Sequence, residues 1–297
     1  MFNSNMFNEN VAVTEQLGGF SVLEYKKDMS VSSITSKVEY FCSKMNVNRR
    51  QVLLNLNGNS YTLQAGAMQW MAGNVQMQSG VKGVGNFLGK MVKGAVTGES
   101  AAKPIYTGTG QVLLEPTYRH IILTDLASWG GSVVLDDGLF LACDSTVQHS
   151  VVARSNLSSA VFGKEGLFNL CLSGNGIVAL ESIVPKEELF EINLQNDTLK
   201  IDGNMAIAWS NTLEFTVEKS SKSLLGSVVS GEGLVNVYRG TGKVWMAPVM
   251  ATHGSAGESN LLENASSGDT GSAAARHDSA SGSTLQKFGK ILDKLSD

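Results

Sequence analysis

The chain has 297 residues, 42% hydrophobic and only 17% charged, with a net charge of −4 and a pI near 5.6. That length supports a core without covalent staples, and the acidic balance is unlike that of a typical nucleic-acid binder. With 32 glycines and 4 prolines, the composition suits a folded protein rich in strands and turns.

The N-terminus, "MFNSNMFNEN", has no cationic start followed by an apolar run, and no apolar stretch approaches the length of a membrane-spanning helix. Neither a signal peptide nor a transmembrane helix is expected, so any membrane contact is peripheral. Between Glu39 and Glu99 there is no acid, whereas Lys44, Arg49, Arg50, Lys82, Lys90 and Lys93 add positive charge. Such a run is most often a solvated face, though it also suits an anionic partner.

Within that run, Gly80–Ser100 reads "GVKGVGNFLGKMVKGAVTGES". A phosphate cradle needs a spacing that Gly83, Gly85 and Gly89 do not provide, and Lys90 is followed by Met91 instead of Ser or Thr. On a helix, Val84, Phe87, Leu88, Met91 and Val92 share a face, with lysines beside or opposite it. Two uses remain open. The segment closes one end of the β-core with its apolar face inward, or Phe87, Leu88, Lys90, Met91 and Lys93 touch a membrane or partner.

An internal repeat organises the rest. Gly-Thr-Gly at Gly108–Gly110 recurs as Gly-Asn-Gly at Gly174–Gly176 and Gly-Thr-Gly at Gly240–Gly242, sixty-six residues apart each time. Val112, Val178 and Val244 keep the frame, and Glu99, Glu165 and Glu232 precede it within one residue. Upstream the first two units align at a spacing of seventy-two, through Gly66 with Gly138 and Val75 with Val147, so the first unit has six extra residues inside Gly80–Ser100. This predicts units at about 50–116, 117–184 and 185–250 behind a leading segment 1–49.

Stretches such as "SVVLDDGLFLAC", "TVQHSVVA", "LEFTVE" and "GLVNVYRGTGKVWM" read as strands. Gly-x-Gly is expected to supply positive φ for a tight turn between two of them. Pro116, Pro185 and Pro248 stand where a ladder must stop. Each unit is too small for a core of its own, which predicts packing around a shared pseudo-threefold axis.

Residue chemistry gives no reaction. Cys42, Cys143 and Cys171 lack CxxC spacing, and His120, His149, His253 and His277 lack metal-ligand spacing. There is no GxSxG, and Cys171 lies in an apolar strand. Trp70, Trp129, Trp209 and Trp245 do not sit in a basic aromatic cluster of the kind that stacks bases. No catalytic, cofactor-binding or metal-binding residue is expected.

The end of the chain is a separate module. Residues 251–283 are Gly/Ser/Ala-rich and read as a flexible linker. In 284–297, Leu285, Phe288, Ile291, Leu292 and Leu295 form an amphipathic helical stripe capped by Ser283 or Thr284. Such a helix is marginal alone, so it docks on the core, grips a protein partner or lies on anionic lipid, the alternative being a plain solvated tail.

The motifs "AGAMQWMAGNV", "VTGESAAKPIYTGTGQVLLEPTYRH", "DDGLFLAC", "FGKEGLFNL" and "GEGLVNVYRGTGKVWMAP" resemble the altered inheritance of mitochondria family number twenty-four in its bacterial branch, over Gly18–Pro248. The resemblance implies an all-β fold of three tandem short double-stranded β-helix subdomains, similar to the tryptophan RNA-binding attenuation protein. It also implies association into rings or trimers, and it carries over no site residue. The sequence therefore points to a cytoplasmic, non-enzymatic scaffold that forms homo-oligomers and touches a protein partner or the inner membrane surface. The alternative is an RNA or small-ligand binder using clefts between repeats, with nucleic acid disfavoured by the net charge.

Overall fold

Short alternating or β-branched segments separated by glycine, asparagine and aspartate become strands because their side chains fit a pleated, half-buried surface and each polar break lets the chain turn. The computed structural model describes residues 5–79, 103–153, 168–219 and 234–249, all within one compact unit, Met1–Ala251. In chain order, the hairpin β1 (Val11–Leu17) and β2 (Phe20–Tyr25) precedes an α-helix, α1 (Ser36–Lys44). Three long strands follow, β3 (Arg50–Leu63), β4 (Met68–Gln78) and β5 (Ile105–Leu114).

The middle of the chain has shorter strands: β6 (His120–Asp125), β7 (Ser132–Leu135), β8 (Phe140–Asp144), β9 (Gln148–Ala153), β10 (Phe168–Ser173) and β11 (Ile177–Ser182). The last group is β12 (Phe190–Asp202), β13 (Ala206–Ser210), β14 (Glu214–Lys219) and β15 (Leu234–Met246).

These strands form two curled sheets. The first runs β1, β2, β3, β8, β11, β6, with β5 and β4 branching from β3; the second runs β12, β15, β13, β7, β10, β9, with β14 on β15. One pairing scheme recurs. Strand β5 lies between β3 and β4, and β15 lies between β12 and the pair β13 and β14. In the middle of the chain β11 lies between β6 and β8, while β10 lies between β7 and β9. That middle portion therefore contributes to both sheets and ties them together.

The central core draws side chains from both sheets, among them Ile122, Leu135, Phe140, Leu180 and Trp245. Trp129 and Trp245 meet edge to face at 4.7 Å within it. A second cluster around Phe20, Leu54, Tyr61 and Leu114 fills the first sheet, and a third around Trp209, Leu213 and Tyr238 fills the second. Trp209 is core, as its apolar strand predicts.

Every glycine of the Gly-x-Gly tripeptides except Gly242 has the expected positive φ, but two of the three tripeptides do not make the expected turn. Gly108 and Gly110 lie inside the unbroken strand β5, with φ of 123° and 153°; Gly240 and Gly242 lie inside β15. Only Gly174 and Gly176 fall between two strands, β10 and β11. The physical reason is close backbone approach. A Cβ at Gly108 would stand 2.1 Å from the carbonyl oxygen of Asn74, and one at Gly110 would stand 2.0 Å from that of Ala72.

Gly108→Ala should therefore destabilise the fold by roughly 2–4 kcal/mol, since both the backbone conformation and the space exclude a methyl group. Gly58, with φ of 82° and nothing within 4 Å of a built Cβ, should accept asparagine at a cost of no more than about 1 kcal/mol. Urea unfolding of the two variants checks the contrast.

Candidate functional site

The connection from β2 to β3 places polar residues of one groove. Tyr25 ends β2, Arg49 and Gln51 flank the start of β3, and Gln69 and Met71 come from β4. With Leu113 and neighbouring residues they line a groove of about 570 Å³ along β4. Its floor is a hydrogen-bonded chain. The Tyr25 hydroxyl donates to Gln51 Oε1 at 2.5 Å, and Gln51 Nε2 donates to Gln69 Oε1 at 2.9 Å and to the Leu114 carbonyl at 2.8 Å.

Arg49 closes one end, with its guanidinium 5.5 Å from the Tyr25 ring centre and in an ion pair with Asp28. Asp28 also accepts a hydrogen bond from the Tyr118 hydroxyl. Burial raises the Tyr25 phenol against the opposing Arg49 charge. Burial also works against the Asp28 carboxylate, but hydrogen bonds from Tyr118, Ser30 and Arg49 outweigh it and hold the carboxyl below its ordinary value. This arrangement is hydrogen-bonded and polar, and offers neutral amide groups and one cation already paired.

A second groove, of about 380 Å³, is lined by Glu15, Leu123, Asp125, Lys186, Glu191 and Lys243, among others. There the Lys243 ammonium sits 4.4 Å from the Trp129 ring centre and 3.4 Å from Glu191 Oε2. Trp245 Nε1 donates to the same carboxylate at 2.9 Å, and that hydrogen bond is the main reason its carboxyl is lowered. Trp129, Trp209 and Trp245 are buried, which removes three of the four tryptophans from any base-stacking surface.

Sequence reasoning did not single out the contact between Cys143 and His149, whose Sγ and Nε2 are 3.7 Å apart. Their spacing in the chain signals nothing, because what brings them together is the turn after Asp144, where the chain passes from β8 in the first sheet to β9 in the second. Burial pushes the Cys143 thiol well up, aided by the Asp144 charge, so this thiol is not a ready nucleophile. Burial likewise raises Cys171. Among the described residues no group of three or more His, Cys, Asp or Glu side chains could hold a metal ion, and no helix is long and apolar enough to cross a membrane.

The surface residues expected from sequence, Phe87, Leu88, Lys90, Met91 and Lys93 together with Leu285, Phe288, Ile291, Leu292 and Leu295, lie outside the described residues. So do the recurring Glu99, Glu165 and Glu232.

Residues 43–249 match the model of the family described as Mitochondrial biogenesis AIM24. The chain belongs to this family. It is 31% identical over 198 residues to an uncharacterised protein of Streptococcus pyogenes serotype M6, covering 64% of this chain and 77% of that one. A crystal structure of a Streptococcus pyogenes protein is similar with a TM-score of 0.51 and 25% identity, over 74% of this chain and 95% of that chain. The AIM24 match contains both grooves' β3, β4 and β15 residues, whereas β1, β2 and most of α1 precede it.

Because the fold lowers the Asp28 carboxyl, its ion pair stabilises the protein above the unfolded-state value and is lost as the pH falls through the lower, folded value. Asp28→Asn should unfold about 1 kcal/mol more easily at neutral pH. The difference from the parent protein should close as the pH falls below about 4, which denaturant titrations at several pH values would show.

Proposed function

We propose that this AIM24-family chain is a cytoplasmic, non-catalytic scaffold of three attenuation-protein-like repeats that assembles head to tail by sheet extension. One observation carries the reading: the ladder that joins the first unit to the second is repeated between the second and third. Tyr61, Thr62 and Leu63 of β3 oppose Asp144, Cys143 and Ala142 of β8. Moved along by the repeat, Val133, Val134 and Leu135 of β7 oppose Ser210, Trp209 and Ala208 of β13.

The next step along the same series places Leu199, Lys200 and Ile201 of β12 opposite Ala72, Met71 and Trp70 of β4. Within one chain that ladder would close the pseudo-threefold arrangement, but among the described residues β12 pairs only with β15 and β4 only with β5. The reading therefore places it between copies. Such an interface is heterologous, so it closes into a ring if the rotation permits and otherwise extends as a filament. Exposed sheet edges left unpaired are ready templates for this kind of association.

The scaffold is also proposed to touch a protein partner or the inner membrane surface through the stripe Leu285, Phe288, Ile291, Leu292 and Leu295, with Phe87, Leu88 and Met91 as a second contact. The support is the helical spacing of those residues and the linker before them.

Lys200 and Met71, both exposed, give a test that leaves the core intact. Met71→Lys sets like charges opposite each other and should weaken assembly, whereas Lys200→Glu combined with Met71→Lys should restore it. Light scattering across a dilution series should show a shift of roughly two- to fivefold in the dissociation midpoint per interface. Equal masses for all variants at every concentration would reject edge pairing. For the tail, Phe288→Glu with Leu292→Glu in the full chain should reduce co-sedimentation with anionic vesicles.

A further inference from the structure

Helix α1 is turned the opposite way from most surface helices. Val38 and Phe41 in the helix, with Ile34 just before it and Met45 just after it, recur at the spacing of one helical face, and a globular protein ordinarily buries such a stripe. Here the four side chains are 83%, 63%, 57% and 77% exposed, and no residue of the helix is buried. The polar side faces the protein instead: Ser36, Glu39 and Ser43 line a cavity of about 220 Å³ against Tyr25, Arg49 and Tyr118.

We infer that the outward face of α1 is a docking surface for an anionic lipid bilayer. Charge selects this occupant. Lys37 and Lys44 are exposed on the flank of the stripe, where their ammonium groups can reach phosphate while the stripe enters the interface. The helix's one acid, Glu39, is on the inward side. The connection 26–49 carries Lys26, Lys27, Lys37, Lys44 and Arg49 against Asp28 and Glu39, and Asp28 is paired with Arg49. It is thus a positive island on a chain of net charge −4.

An anionic surface attracts that island and repels the remainder, so the charge distribution also orients the molecule. A second copy is a poorer occupant, because packing two of these stripes together would bring their flanking lysines against each other. The inference rests on the membrane-contact part of the proposed function and is independent of head-to-tail assembly.

The test is flotation of the full chain with vesicles containing about one-third phosphatidylglycerol in phosphatidylcholine, compared with phosphatidylcholine alone. The unaltered chain should float with the anionic vesicles and lose binding as salt is raised. Val38→Ser with Phe41→Ser should lower partitioning roughly tenfold or more, and Lys37→Glu with Lys44→Glu should do so on anionic vesicles. Both pairs are solvent-exposed, so unchanged unfolding midpoints confirm that the fold is intact.

Equal flotation of the parent chain and both variants would overturn the assignment of α1 while leaving the tail of the proposed scaffold in place. Absence of flotation by the parent chain would overturn this inference together with the membrane part of that function. A helix variant that changes the light-scattering mass without changing flotation would assign the face to contacts between copies and overturn the lipid docking. A monomer that still floats and loses flotation in the helix variants would reject head-to-tail assembly and uphold the inference.

Discussion

The close approach of β5 to β4 at Gly108 and Gly110 is the constraint on which the rest of the architecture depends. Two carbonyl oxygens, of Asn74 and Ala72, occupy the space where side chains would project, so the strands meet there with nothing between their backbones. At the corresponding place in the middle of the chain, Gly174 and Gly176 separate β10 in the second sheet from β11 in the first. The same tripeptide thus serves a continuous strand in one setting and a change of sheet in another. Sharing the middle strands between sheets lets one central core draw on both.

The leading segment depends on a different interaction, the burial of Arg50. Its guanidinium meets Glu24 at 2.7 Å and also donates to the Asn46 side chain and carbonyl and to the Asn48 carbonyl. A buried cation persists only when its donors are satisfied, and here the satisfaction fixes the return of the chain from α1 into β3. Asn46 adopts the left-handed conformation at that return, with φ of 63°. Arg50 also adds to burial in holding the His120 imidazole below its ordinary value. The polar face of α1 is consequently held toward Tyr25, Arg49 and Tyr118, which leaves its apolar stripe outward.

Edge strands and an outward apolar helix are both costly features for an isolated soluble molecule, because each exposes groups that other molecules can pair with. In this chain they have different chemistry. Among the described residues the outer edges of β4 and β12 carry no further strand, whereas α1 presents apolar area beside positive charge. The proposed scaffold would join copies through one and contact a surface through the other, while the two grooves contain hydrogen-bonded amides and ion pairs.

The all-β class, the strand segments and the spacing of Gly-x-Gly were legible in the sequence because periodicity and turn chemistry are local properties. Burial of Trp209 followed from its apolar run, and the low reactivity expected of Cys171 followed from its strand. The glycine tripeptides were legible as unusual backbone, but the setting of two of them inside strands was not, since a close approach depends on a partner residue more than thirty positions away. The groove of Tyr25, Gln51 and Gln69 was equally hidden, because its members come from three separate strands. The stripe of Ile34, Val38, Phe41 and Met45 is present in the amino-acid order, but spacing alone cannot tell which side of a helix turns inward. The sequence by itself determined the strand-rich composition, the spacing of the Gly-x-Gly tripeptides and the family; only the tertiary structure decided which strands pair and which face of α1 meets solvent, because those depend on contacts among residues distant in the chain.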